Sequence, residues 1–120
     1  MIEIKFRVWI KISQQFATWE DICHKKNLHR LIDNPEYIIM QYTGIKDKDG
    51  VEIYEGDILE AFNILGEKEI LPVVFVDGAF MGKRLEDEEF PYFYLFANKS
   101  FSKTYKVVGN IYENPELLKA

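Results

Sequence analysis

Apolar and polar residues alternate from Ile2 to Ile10, so that at two residues per repeat Ile2, Ile4, Phe6, Val8 and Ile10 share one face of a half-buried strand. Glu3, Lys5, Arg7, Trp9 and Lys11 fall on the opposite face. The polar residues 11–15 predict a turn, and Phe16 to Trp19 a returning strand. From Thr18 to Ile32 a helix is expected, with Thr18 placed to cap it and Glu20 and Asp21 suited to its positive end. Asn34-Pro35 closes that segment, because the residue before a proline is pushed out of helical geometry. Glu36 to Tyr42 is apolar and β-prone and reads as a buried strand.

Thr43 to Gly50 carries four charges between two glycines and reads as an exposed loop. A short strand is predicted over Val51 to Tyr54, a tight turn at Glu55-Gly56-Asp57, and further strands over Ile58 to Ile64 and Ile70 to Val76. Pro72 lacks an N–H, which places the last of these at a sheet edge or a bulge. Asp77-Gly78 sits between apolar runs and predicts a hairpin with a type I′ turn, which needs positive φ at both central residues. An acidic loop at Glu86 to Glu89 leads to the aromatic strand Tyr92 to Phe96, whose alternate rings are expected in the core, leaving others to face a partner. A final strand spans Tyr105 to Tyr112. Asn114-Pro115-Glu116 then opens about one turn of helix, with Asn114 as the capping side chain. The pattern predicts an α+β, mostly β fold. Within a single domain of residues 1–120, an N-terminal α+β lobe (1–50) packs on a small C-terminal SH3-like antiparallel β-barrel (51–120) with a short C-terminal helix.

Composition adds constraints. Hydrophobic residues make up 48% and charged residues 29% of the 120, which suits a globular chain. The longest near-continuous apolar run, Ile70 to Val76, is too short to span a membrane, and the first residues lack a secretory signal, so a cytoplasmic location is expected. Net charge is −5, with no basic half, which lowers the expectation of general nucleic-acid binding. The lone Cys23 reads as a small buried hydrophobe.

Three stretches carry a family resemblance. They are Lys5-Phe6-Arg7-Val8-Trp9, the long run from Gln41-Tyr42-Thr43-Gly44 through Tyr54-Glu55-Gly56-Asp57-Ile58, and Val108-Gly109-Asn110-Ile111-Tyr112-Glu113-Asn114-Pro115-Glu116-Leu117. In order and spacing the chain resembles the YopX-like family of phage and prophage proteins. Ile10 departs from the pattern, which favours an acid after the tryptophan, and residues 13–35 match no landmark. The resemblance implies a phage or prophage accessory protein in a bacterial host and a barrel-like C-terminal part. It carries over no catalytic residue, cofactor or substrate.

Candidate chemistry is sparse. Asp47-Lys48-Asp49-Gly50 has acids at alternate positions before a glycine, as in a calcium loop. With Gly50 aligned, however, Ile45 and Gly56 occupy the first and last ligand positions, so a solvent-exposed acidic turn is the better reading. Glu52, Glu55 and Asp57 are close enough in sequence to suggest a metal-dependent hydrolase. Alternation turns Glu52 to solvent and Asp57 is placed to bond the turn's own amides, so structure is favoured. His24 and His29, if helical, lie about 140° apart and share no ligand face. No nucleophile elbow or phosphate-binding glycine loop occurs. Lys5, Arg7, Trp9 and Lys11 interleave cations with an aromatic ring, the combination that single-stranded nucleic-acid binders use; the competing reading is a solvated strand face. With Tyr54, Glu55, Gly56 and Asp57 they make up the candidate binding set. The expected function is a non-catalytic binding module acting through protein–protein contact or self-association, with no cofactor or metal. A nucleic-acid module is the alternative.

Overall fold

The computed structural model describes residues 3–25, 28–62, 65–85, 87–89, 91–94 and 104–119, and for Lys25, Phe93 and Tyr94 the backbone alone. The order is β1 (Phe6–Ile10), β2 (Gln15–Ala17), α1 (Trp19–Lys25), α2 (Leu28–Ile32), β3 (Tyr37–Lys46), β4 (Glu52–Tyr54), β5 (Asp57–Phe62), β6 (Lys68–Val76), β7 (Ala79–Lys83), β8 (Tyr92–Tyr94) and β9 (Lys106–Asn110), followed by a 3-10 helix at Pro115–Leu118. These form two antiparallel sheets, of order β2-β1-β3-β4 and β8-β7-β6-β5-β9. The mostly-β expectation holds. β4, assigned by sequence to the C-terminal lobe, pairs with β3 in the first sheet.

Local chemistry explains the elements. Thr18 Oγ1 accepts the Asp21 N–H at 3.2 Å while Asp21 Oδ2 accepts the Thr18 N–H at 3.1 Å, a reciprocal cap that starts α1. The expected helix is described on either side of residues 26–27, as α1 and α2, and those two residues lie outside the described set. Asp77 and Gly78 have φ of 50° and 83°, and Val76 faces Ala79 across the turn, as the type I′ reading requires. Leu95 and Phe96 of the predicted aromatic strand lie outside the described residues. So does Ile2, and the first strand begins only at Phe6.

Three expectations are corrected. Thr43 to Lys46 is strand rather than loop: β3 runs on through Gly44, at φ 88°, and pairs Lys46 with Glu52. Pro72 lies in the central strand β6 rather than at an edge. The carbonyl of Val73 accepts the Gly56 N–H on the β5 side, so by alternation Pro72 points its nitrogen toward β7, whose pairing stops at Val73. Its missing donor therefore costs no ladder bond. Asn114 stands at the N-cap of the 3-10 helix, but its side chain makes no capping bond; its side-chain oxygen accepts the Asn110 N–H at 3.2 Å.

Each sheet has its own core. Val8, Ala17, Ile22 and Leu31 are buried together between the first sheet and the helices, and Ile53, Leu59, Ala61, Leu71, Val73 and Tyr105 beneath the second. Both faces of β1 are covered, Val8 on the helix side and Trp9, 4% exposed, on the other.

Candidate functional site

The candidate residues converge where the sheets meet. Arg7, in the middle of β1, has its guanidinium carbon 4.7 Å from the Phe16 ring centroid and 4.8 Å from that of Tyr54. Those rings come from β2 and β4, the two outer strands of the first sheet, so the sheet curls around the cation. Arg7 Nη2 pairs with Asp57 Oδ1 at 2.8 Å and donates to the Glu55 carbonyl at 3.4 Å. Asp57 Oδ2 accepts the Tyr54 N–H at 2.7 Å. Burial pushes the Asp57 carboxyl above its ordinary value, and the Arg7 charge and the Tyr54 amide pull against that shift.

Gly56 lets the turn approach this closely. Its φ of 87° favours glycine, and a Cβ there would stand 2.9 Å from Met40 Sδ. Its N–H donates to Val73 and its carbonyl accepts from Ile111, both at 2.9 Å, which ties the turn into the second sheet. Trp9 stacks on Tyr112 at 5.4 Å between centroids and lies 4.8 Å from Phe16. The face that holds Arg7 and Trp9 is therefore a packed junction and not a solvated strand face.

A second tie involves Asp47, which is buried at 7% exposure and not part of an exposed turn. Its Oδ1 accepts the N–H groups of Asp49 and Val51 at 2.8 and 2.9 Å, and its Oδ2 that of Val107 on β9 at 2.9 Å. Burial alone would raise this carboxyl; the three amides, helped by Lys106, outweigh it and hold the group below its ordinary value.

Beside the junction lies an open cleft of about 750 Å³, lined by Lys5 just before β1, Arg7 of β1, Phe16 of β2, Glu52 and Tyr54 of β4, and Trp19, Glu20, Cys23 and His24 of α1. Lys5 bonds Glu52 at 2.7 Å and Glu3 at 3.1 Å, which hold its ammonium above its usual value. Of the candidate set, Lys5, Arg7 and Tyr54 line this cleft; Trp9, Glu55, Gly56 and Asp57 belong to the junction behind it, and Lys11 is exposed beyond the end of β1. Of the three carboxylates weighed as a metal set, Glu52, Glu55 and Asp57, Glu52 pairs with Lys5 and Asp57 with Arg7. Cys23 is exposed on the cleft wall, against the expectation of a buried thiol. Sequence reasoning missed Phe16, Trp19, Glu20 and His24 as cleft residues. The Thr18 cap was their one signal, since it fixes which way the first turn of α1 leaves β2.

Three comparisons bear on this fold. The family model described as YopX protein matches residues 5–119. Protein EF1440 from Enterococcus faecalis has a crystal structure that superposes with a TM-score of 0.67 at 26% identity, covering 99% of this chain and 100% of that one. The crystal structure of protein yopX from Bacillus subtilis gives a TM-score of 0.65 at 20% identity, again over 99% and 100%. No curated protein matches.

Proposed function

This chain belongs to the YopX family, and from that premise we propose that it is a non-catalytic binding module that takes a segment of a partner protein into the cleft between β1, β4 and α1. One observation carries the reading: the cleft has aromatic walls, Phe16, Trp19 and Tyr54, while its lining cations Lys5 and Arg7 are already matched by carboxylates. Aromatic residues are enriched where protein surfaces meet. A phosphate backbone instead needs unmatched cations. The proposal places the protein among phage or prophage accessory proteins in the host cytoplasm. It also treats residues 1–120 as one domain, with the β5–β9 sheet and 3-10 helix forming an SH3-like lobe whose boundary falls at Glu55-Gly56.

The test is capture from lysogenic cell extract with the wild type and with His24→Trp, which fills the cleft from an exposed position. A protein retained by the wild type through nuclease treatment and lost with His24→Trp, at unchanged circular dichroism, is expected. Retention that nuclease abolishes, or that His24→Trp leaves intact, overturns the reading.

A further inference from the structure

The first sheet curls but does not close. Its outer strands are β2 and β4, and Phe16 of one and Tyr54 of the other lie against the same Arg7 guanidinium. The hydrogen-bond pattern shows which main-chain groups these two edges leave open. Lys11 N–H donates to the Glu36 carbonyl and Tyr42 N–H to the Lys5 carbonyl, so the odd-numbered residues of β1 bond toward β3 and the even-numbered ones toward β2. Val8 and Ile10 therefore bond Ala17 and Gln15, which turns the Phe16 N–H and C=O outward. On β4, Asp47 N–H donates to the Val51 carbonyl and Glu55 N–H to the Gln41 carbonyl. Those bonds flank the pairs Lys46–Glu52 and Tyr42–Tyr54, so Glu52 and Tyr54 direct their own N–H and C=O groups away from β3.

Elsewhere the chain closes its own edges. Tyr54 N–H is taken by Asp57 and Thr18 N–H by Asp21; on the outer side of β9, Val107 N–H is taken by Asp47 and the Tyr105 carbonyl by Lys48 N–H. Phe16 and Glu52 are left open: neither main-chain N–H nor C=O has a partner among the described residues. Both residues line the cleft, one on each side of Arg7. With Lys5 and Arg7 matched by Glu52 and Asp57, the complement of these two edges is an uncharged main chain. We propose that the segment taken into the cleft is an extended strand of the partner, which exchanges main-chain hydrogen bonds with Phe16 on one edge and Glu52 on the other and so closes the first sheet. This rests on the cleft being a protein-binding site, and it adds the conformation and bonding of the ligand.

Amide exchange and amide chemical shifts of the full chain test it. In the free protein the Phe16 and Glu52 amides are expected to exchange at least about tenfold faster than those of Ala17 and Ile53, which bond within the sheet. On saturation with a capped Ser-Val-Thr-Val-Ser peptide the same two amides should shift and slow at least about tenfold. The same peptide with both valine amides N-methylated loses its donors toward one edge and should bind at least about tenfold more weakly. Slow exchange of both amides in the free chain, binding of neither peptide, equal binding of the two, or binding that leaves Phe16 and Glu52 unprotected each overturns the inference. Capture from extract that His24→Trp abolishes would then still stand, which separates the failure of strand addition from that of the cleft.

Discussion

Replacing Arg7 with alanine removes one partner of an ion pair whose other member, Asp57, is 3% exposed at its side chain. Breaking a buried pair in this way costs roughly 3–5 kcal/mol, because the remaining charge stays desolvated. Arg7 is 17% exposed and Asp57 keeps its bond from the Tyr54 amide, which moves the expectation to the lower end. Loss of the contacts to Phe16 and Tyr54 adds to it, each worth about 0.5–1 kcal/mol or more. We therefore expect Arg7→Ala to lose about 4–5 kcal/mol in urea unfolding, or roughly 15–20 °C in Tm for a chain of this length. Arg7→Lys keeps the charge without the planar group that fits between the rings, and is expected to lose about half as much. The decisive assay is a double-mutant cycle with Asp57→Asn, which still accepts from Tyr54. The double variant should be more stable than the sum of the singles implies, by about 1.5–3 kcal/mol. Additivity within about 0.5 kcal/mol, or a cost of Arg7→Ala below about 1 kcal/mol, would refute the claim that this pair joins the two sheets.

Gly56→Ala meets both a left-handed backbone and the buried Met40 sulfur, so it should cost about 2–3 kcal/mol in chemical denaturation. Gly50→Ala has positive φ but open space and should cost only about 1 kcal/mol. Asp47→Ala leaves the Asp49, Val51 and Val107 amides without their acceptor and, since the first two belong to exposed residues that water can reach, is expected to destabilise by about 1–3 kcal/mol. Because the folded state holds the Asp47 carboxyl below its unfolded value of 3.8, the unfolded chain binds the proton first as pH falls. The Asp47 contribution is thus fully present above that value and disappears as pH drops through the lower, folded one. The stability difference between wild type and Asp47→Ala, measured by denaturation across the acid range, should shrink in that window. A difference that stays constant or grows there contradicts the assignment.

What could be read from the sequence was local. Asp77-Gly78 announces its own turn because only two backbone conformations are involved, and Thr18 with Asp21 announces a helix start by the same logic. Arg7 was placed on the right face of β1 but misjudged as solvated. Alternation tells which residues share a face and not what covers it, and apart from Phe16 the groups that cover Arg7, Tyr54, Glu55 and Asp57, lie about fifty residues further on. Asp47 failed for the same reason: its sequence neighbours are charged, while the amide that draws it inward belongs to Val107. Pro72 was misplaced because the rule against proline in a central strand assumes a ladder on both sides, and on one side the ladder ends. The cleft was invisible since its aromatic walls come from β2, α1 and β4, which only the curl of the sheet brings together.

The most direct test of a protein-binding cleft is photo-crosslinking in lysogenic cells, with a crosslinking residue placed at the exposed rim position His24 and, separately, at Asp77 on the tip of the β6–β7 hairpin. The account predicts a discrete protein adduct from His24 that is absent from Asp77. Equal labelling from both positions, or adducts to nucleic acid alone, would contradict it.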